Sequence, residues 1–268
     1  MQSNLPDPFT PFIGRKREIS EITRLVKANR LVTVTGAGGA GKTRLAIEVA
    51  THIQSRFVDG VSLIELAPFA DPAIVIHTLA STLHIQTASS ADLSTTLADF
   101  LAAKDMLLIL DNCEHVVFAS ANLVLSLLRR PGKDRILATS REPLATPGVL
   151  TWQVPPLSTP NAKIQLTLEK LTNFEPIQLF IERSHAVRHD FCLTQENTTC
   201  VAEICRRLDG LPLAIELAAA RRNVLSPSEI AARLAGRFKL LVGHLRETPP
   251  RQQTLLATLN WSYDLLTR

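Results

Sequence analysis

Eight consecutive residues carry the clearest chemistry in this sequence. Gly36-Ala37-Gly38-Gly39-Ala40-Gly41-Lys42-Thr43 completes the pattern G-x-x-x-x-G-K-[ST]. Glycine lets the backbone curl until successive N–H groups point inward at phosphate oxygens. A helix opening at about Lys42 adds the positive end of its dipole. The Lys42 ammonium can then reach β- and γ-phosphates, and the Thr43 hydroxyl is placed to hold Mg2+. The bland alternative is a glycine-rich turn with no ligand. A β-branched run before the loop and a helical pattern after it favour the phosphate reading.

A second group follows the apolar run Met106-Leu-Leu-Ile-Leu110. Asp111 stands at its C-terminal end, where ligands bind in open α/β sheets. Behind a phosphate loop such an acid helps hold Mg2+, directly or through water. Asn112 cannot accept a proton, so a catalytic carboxylate directly after Asp111 is missing. Glu114 is the nearest acid able to polarise water, and its ordinary alternative is a helix N-terminal residue that favours the dipole. Arg141, which ends a fourth apolar run, faces the same crevice and can contact a γ-phosphate, distinguishing ATP from ADP. Its alternative is a surface salt bridge. These residues predict slow hydrolysis with Glu114 assisting.

The elements that must position them read as an α/β parallel sheet of the P-loop NTPase type with helices on both faces. Strands are expected at 31–35, 61–65, 106–110, 135–139 and 151–154, with helices at about 15–28, 43–56, 72–85, 93–103 and 115–130. After Pro155-Pro156 no strand-like run recurs, and helical patterns continue at about 174–188, 195–208, 211–223, 227–235 and 251–266. Residues 157–173 read as a linker of uncertain structure.

Composition excludes several classes. At 46% hydrophobic and 20% charged, the 268-residue chain is no disordered polymer. A net charge of +4 is too mild to mark nucleic-acid binding, and the scattered arginine pairs suit solvated helix faces. Cys113, Cys192, Cys200 and Cys205 form no dense framework, and the spacing of Cys200 and Cys205 does not place both on one helix face as zinc ligands. The N-terminus lacks a signal-peptide pattern and no run of eighteen apolar residues occurs. The expectation is a soluble cytoplasmic protein with no membrane partner.

Taken in order, the motifs resemble a STAND-class ATPase of the NB-ARC type. Phe12-Ile13-Gly14-Arg15 resembles that family's motif near adenine, and Thr139-Ser140-Arg141 its sensor. Gly210-Leu-Pro212-Leu-Ala214 resembles its GLPLA motif, whose proline abuts the base or sugar from a helical domain. Arg251-Gln-Gln-Thr-Leu255 and Asn260-Trp-Ser-Tyr-Asp264 resemble the entry to its winged-helix domain. The wording of the Gly-Lys-Thr-Arg44 and Leu-Asp-Asn-Cys-Glu-His segments is nearest to bacterial LuxR-like and antibiotic-pathway transcriptional regulators.

The resemblance implies a nucleotide-binding domain at 1–156, a helical domain at 157–245 and the start of a truncated winged-helix domain at 246–268. It implies ATP or ADP with Mg2+ as cofactors. Partners would be effector or sensor domains or further copies of the chain, with DNA reached only through domains outside it. The family histidine that latches ADP is not matched; His244 lies before the expected place. Leu255, Leu259, Tyr263 and Leu266 form an apolar stripe expected to pack back on the helical domain or to fray. Two other readings remain open: a P-loop kinase acting on a small molecule, and a scaffold that keeps its nucleotide unhydrolysed. A transporter ATPase is disfavoured because no LSGGQ-like run occurs.

Overall fold

The computed structural model describes residues 3–66, 72–85, 93–144, 146, 148–161 and 167–234. The expected helix at 251–266, its apolar stripe, His244 and the winged-helix start at 246–268 lie outside the described residues. The described chain separates into two compact units, one of Met1–Gly36 with Lys42–Val154 and one of Ala37–Gly41 with Pro155–Arg268.

The first unit is built on five parallel strands: β1 (Leu31–Thr35), β2 (Val61–Glu65), β3 (Leu107–Asp111), β4 (Arg135–Ser140) and β5 (Leu150–Gln153). Their order across the sheet is β2-β3-β4-β1-β5. Every residue of β1 and β3 is buried. A parallel sheet covered on both faces selects continuous Val, Ile and Leu in this way rather than alternation with polar residues. One face packs Leu108, Leu110, Ile136 and Ala138 against helices α3 (Pro72–Thr82), α4 (Leu93–Ala102) and α5 (Val117–Leu128). Helices α1 (Lys16–Ala28) and α2 (Lys42–Ile53) pack together and contact β1 and β4, burying Ile22, Val26, Leu45 and Val49. Register aligns the carboxyl ends: Thr35 pairs with Ser140, and Leu110 with Ala138. That alignment brings Gly36, Asp111 and Thr139 to one edge.

The helical unit contains α6 (Leu168–Leu171), α7 (Glu175–Val187), α8 (Gln195–Arg207), α9 (Pro212–Ala220) and α10 (Pro227–Arg233). Phe180, Val201, Ile204, Cys205, Ile215 and Ile230 are among its buried residues. Burial pushes the Cys205 thiol up to about 12. Reciprocal capping boxes start α8 at Thr194 with Asn197 and α10 at Ser226 with Glu229. Prolines occupy the first turns of α7, α9 and α10, where the missing N–H has no helical partner to lose.

Three local readings change. The expected helix at 115–130 is a 3-10 turn at Cys113–His115 followed by α5, because Asn112 is left-handed (φ 60, ψ 50) and Val116 is not helical. The helix expected to reach residue 85 ends at Thr82, before the left-handed His84 (φ 56). The segment expected to be a linker at 157–173 holds the one-turn helix α6. Among the described residues, no helix is long and apolar enough to cross a membrane.

Candidate functional site

The phosphate loop closes on itself through two contacts. Ala40 N–H donates to Ala37 O at 3.2 Å, and Lys42 Nζ donates to Gly36 O at 2.8 Å. Gly39 holds φ +78, and its carbonyl accepts from Leu213 N–H at 3.2 Å within the helical unit. A Cβ on Gly39 would stand 2.9 Å from Leu213 Cβ, so chain direction and lack of space both demand glycine. Gly36, Ala37, Gly38, Gly39, Ala40 and Gly41 thus form one curl ahead of α2. Pro212, first residue of α9, faces the end of that curl: a Cβ on Gly41 would lie 3.9 Å from its Cγ.

Lys42 is buried, and burial lowers its ammonium pKa below the ordinary lysine value. The charge of Glu114 opposes that shift, Arg141 adds to it, and Asp111 opposes it. The ammonium therefore sits within electrostatic range of all three other charged candidates.

Asp111 is 1% exposed, and burial raises its carboxyl pKa against the pull of its hydrogen bonds. Thr43 Oγ1 donates to Asp111 Oδ1 at 2.7 Å, and Thr139 Oγ1 donates to the same oxygen at 2.5 Å. Asn112 Nδ2 donates to Asp111 Oδ2 at 2.7 Å, while Asn112 N–H donates to Thr139 Oγ1 at 3.0 Å. Thr43 and Asp111 are hard oxygen donors already in contact, the kind of pair that Mg2+ takes. The residues present fit that ion.

Glu114 and Arg141 meet each other. Arg141 Nε lies 3.4 Å from Glu114 Oε1, with side chains 10% and 2% exposed. Glu114 stands in the first turn of the 3-10 segment with its side chain turned out of solvent, and the salt bridge of Arg141 is buried rather than at the surface. Glu114 Oε2 is buried and receives no hydrogen bond among the described residues.

The N-terminal motif is held from α2. Arg44 Nη2 donates to Thr10 O at 3.0 Å and Pro11 O at 3.2 Å, and its guanidinium lies 5.8 Å from the Phe12 ring centre. In this structure Arg44 anchors the motif. Gly14 and Arg15 follow Ile13 with φ 70 and 56, a left-handed corner that delivers the buried Arg15 to the start of α1. Asn112, which the sequence marks only as a missing acid, and Thr139, which it marks only as part of the Thr139-Ser140-Arg141 motif, both enter the site as hydrogen-bond donors to Asp111.

Residues 24–141 match the AAA domain family. Over this segment the chain is similar to the AAA domains. An uncharacterized protein of Mycobacterium tuberculosis is 42% identical over 258 residues, 96% of this chain and 62% of that protein. A second protein of that organism, named as an HTH-type transcriptional regulator, is 43% identical over 243 residues, 91% of this chain and 26% of its own length. The chain thus spans less than two thirds of the first and about a quarter of the second. The ORC2 protein of Aeropyrum pernix superposes with TM-score 0.54 at 14% identity, over 86% of this chain and 70% of that one. At that identity the likeness establishes the P-loop NTPase-like fold.

Proposed function

We propose that this chain is an ATP/ADP-binding switch with slow hydrolysis, the NB-ARC-type STAND ATPase module of a signalling or transcriptional regulator. The observation that carries the reading is the buried Glu114–Arg141 pair beside Lys42 and Asp111. A glutamate held by an arginine is poorly disposed to polarise water, so turnover waits on Arg141 moving away. A γ-phosphate gives Arg141 a competing anion, and only the triphosphate supplies one. The same exchange of partners makes the site a nucleotide sensor whose states differ in population.

In this reading Lys42 holds the β- and γ-phosphates, and the curl from Gly36 to Gly41 presents N–H groups to them. Thr43 and Asp111 would hold Mg2+, which when bound neutralises charge between phosphate oxygens. Phe12, Ile13, Gly14 and Arg15 would serve the base, with Arg44 fixing Phe12, and Pro212 is the candidate base contact that the family resemblance adds. The domain assignment proposed here is 1–156 for nucleotide and 157–245 for the helical part. Kinship with a protein named as an HTH-type regulator supports a cytoplasmic role in transcription, with DNA contacted through domains outside this chain and with effector domains or further copies as partners.

The test is the nucleotide retained after purification, followed by single-turnover hydrolysis with and without small-molecule acceptors. Trapped ADP and slow acceptor-independent turnover support the switch. Acceptor-dependent transfer would replace it with a kinase, and retained ATP that never hydrolyses with a scaffold. Failure to bind either nucleotide would overturn all three.

A further inference from the structure

Strand β2 ends the row β2-β3-β4-β1-β5, with β3 as its one neighbouring strand. Gly60 O accepts from Leu107 N–H at 3.1 Å, and Leu66 N–H donates to Asp111 O at 2.9 Å. Backbone groups of successive residues in a parallel ladder turn to opposite sides. Residues 60, 62, 64 and 66 therefore face β3, and Val61, Leu63 and Glu65 face outward. At the middle of that outward row a side chain takes both groups of one residue. Leu63 N–H donates to Asn4 Oδ1 at 2.6 Å, and Asn4 Nδ2 donates to Leu63 O at 2.9 Å. A carboxamide carries the donor and acceptor of a peptide unit, so Asn4 stands where one residue of a sixth strand would.

The arm carrying Asn4 suits a side-chain contact and not a strand. Pro6 and Pro8 have no N–H to give to a ladder. Asn4, Pro6, Asp7, Pro8 and Phe9 are exposed, so the arm is held at two points rather than along its length. One point is Asn4 on β2, and the other is Arg44 on α2, which donates to Thr10 O and Pro11 O. The prolines between the anchors lower the entropy lost when the arm docks.

An outer strand offers its backbone groups as a template for another chain. The outward row of β2 is centred on Leu63. A second copy related by a two-fold axis through this point would lie antiparallel, with Leu63 opposite Leu63. That is the register in which facing residues exchange both backbone bonds. Val61 would face Glu65 of the second copy, so no like charges meet. Asn4 occupies the two bonds at the centre of that register.

We propose that Asn4 is a plug on the β2 edge, and that releasing it opens a two-fold, antiparallel β2–β2 interface with a second copy of this chain. The device lies apart from the phosphate loop and does not depend on the nucleotide reading.

The experiment combines backbone amide exchange, followed by nuclear magnetic resonance, with sedimentation velocity over a concentration series of the full chain. Wild type is compared with Asn4→Ala, which removes both bonds, and with Asn4→Asp, which keeps an acceptor for Leu63 N–H but sets an oxygen against Leu63 O. In dilute solution the Leu63 amide of Asn4→Ala should exchange at least about tenfold faster than in wild type, the scale of one or two net hydrogen bonds. Both variants should dimerise at lower concentration than wild type, Asn4→Ala at about a tenth of it. The Leu63 amide should regain protection as the dimer fills. Circular dichroism and the urea midpoint report folding, and if one variant does not fold, the other decides. Wild-type exchange at Leu63, wild-type sedimentation across the series, or dimers that leave this amide unprotected would each overturn the proposal.

Discussion

Removing one member of the Glu114–Arg141 pair should leave the other charge stranded inside the protein. The nitrogen and oxygen are 3.4 Å apart and the side chains 10% and 2% exposed, so solvent screening is weak. Taking the charge centres as about 4 Å apart in an effective dielectric of about 20, their attraction is about 4 kcal/mol. Breaking comparable buried pairs from one side costs about 3–5 kcal/mol. The two single changes should not be equal. Arg141→Met leaves Glu114 with the Lys42 ammonium still in range, whereas Glu114→Gln leaves Lys42 and Arg141 to repel each other. We expect Glu114→Gln to be the costlier single change, at about 3–4 kcal/mol, and Arg141→Met to lose about 2–3. The double variant should recover at least about 2 kcal/mol of their sum. The assay is urea unfolding of the full chain at pH 7, followed by circular dichroism and tryptophan fluorescence, for the four proteins of the cycle. Raising the salt should change the coupling little, since a buried pair is poorly screened. Additivity within about 0.5 kcal/mol, or a costlier Arg141→Met, would refute the argument.

Three further outcomes follow from the same geometry. Gly210→Ala should destabilise the helical unit: Gly210 holds φ +67 and an added Cβ would overlap the Leu157 carbonyl oxygen. The left-handed conformation alone costs alanine about 1–2 kcal/mol, and an unchanged urea midpoint would contradict this. Thr139→Val should lose about 1–3 kcal/mol, because the half-buried Asn112 N–H and the buried Asp111 Oδ1 each lose a partner, whereas Thr139→Ser should retain most of that stability in the same unfolding assay. Lys42 predicts a pH profile. Its folded pKa is lowered, so the folded chain sheds this proton more readily than the unfolded chain, and the cost of burying the ammonium is relieved as pH rises through the folded value. Nucleotide affinity needs the charge and should fall over that same range, below the ordinary lysine value of 10.5; affinity that stays flat to that pH would contradict the shift.

The parts of this fold that were legible in the sequence are those in which local pattern and tertiary fate agree. Strand β3 reads as Leu-Leu-Ile-Leu because both of its faces are covered, and the phosphate loop reads as a motif because its chemistry is local. Helices α7, α8 and α10 fall within a residue or two of expectation because Pro and Ser or Thr mark their starts. The Asp111–Asn112–Thr139 ring was not legible, since it exists only once β3 and β4 lie side by side in one register, with Leu110 against Ala138. The left-handed turn at Asn112 then decides the rest. It ends β3, breaks the helical pattern that would have begun at residue 115, and turns Glu114 inward. Read singly, Glu114 was an acid near water and Arg141 a base near phosphate, and nothing in their types or spacing said that each is the other's partner. In the sequence Asn112 is marked by what it lacks, a proton-accepting oxygen. Its place in the structure is defined by what it adds, an amide donor on the acid beside it and a bend that sets two charges in contact.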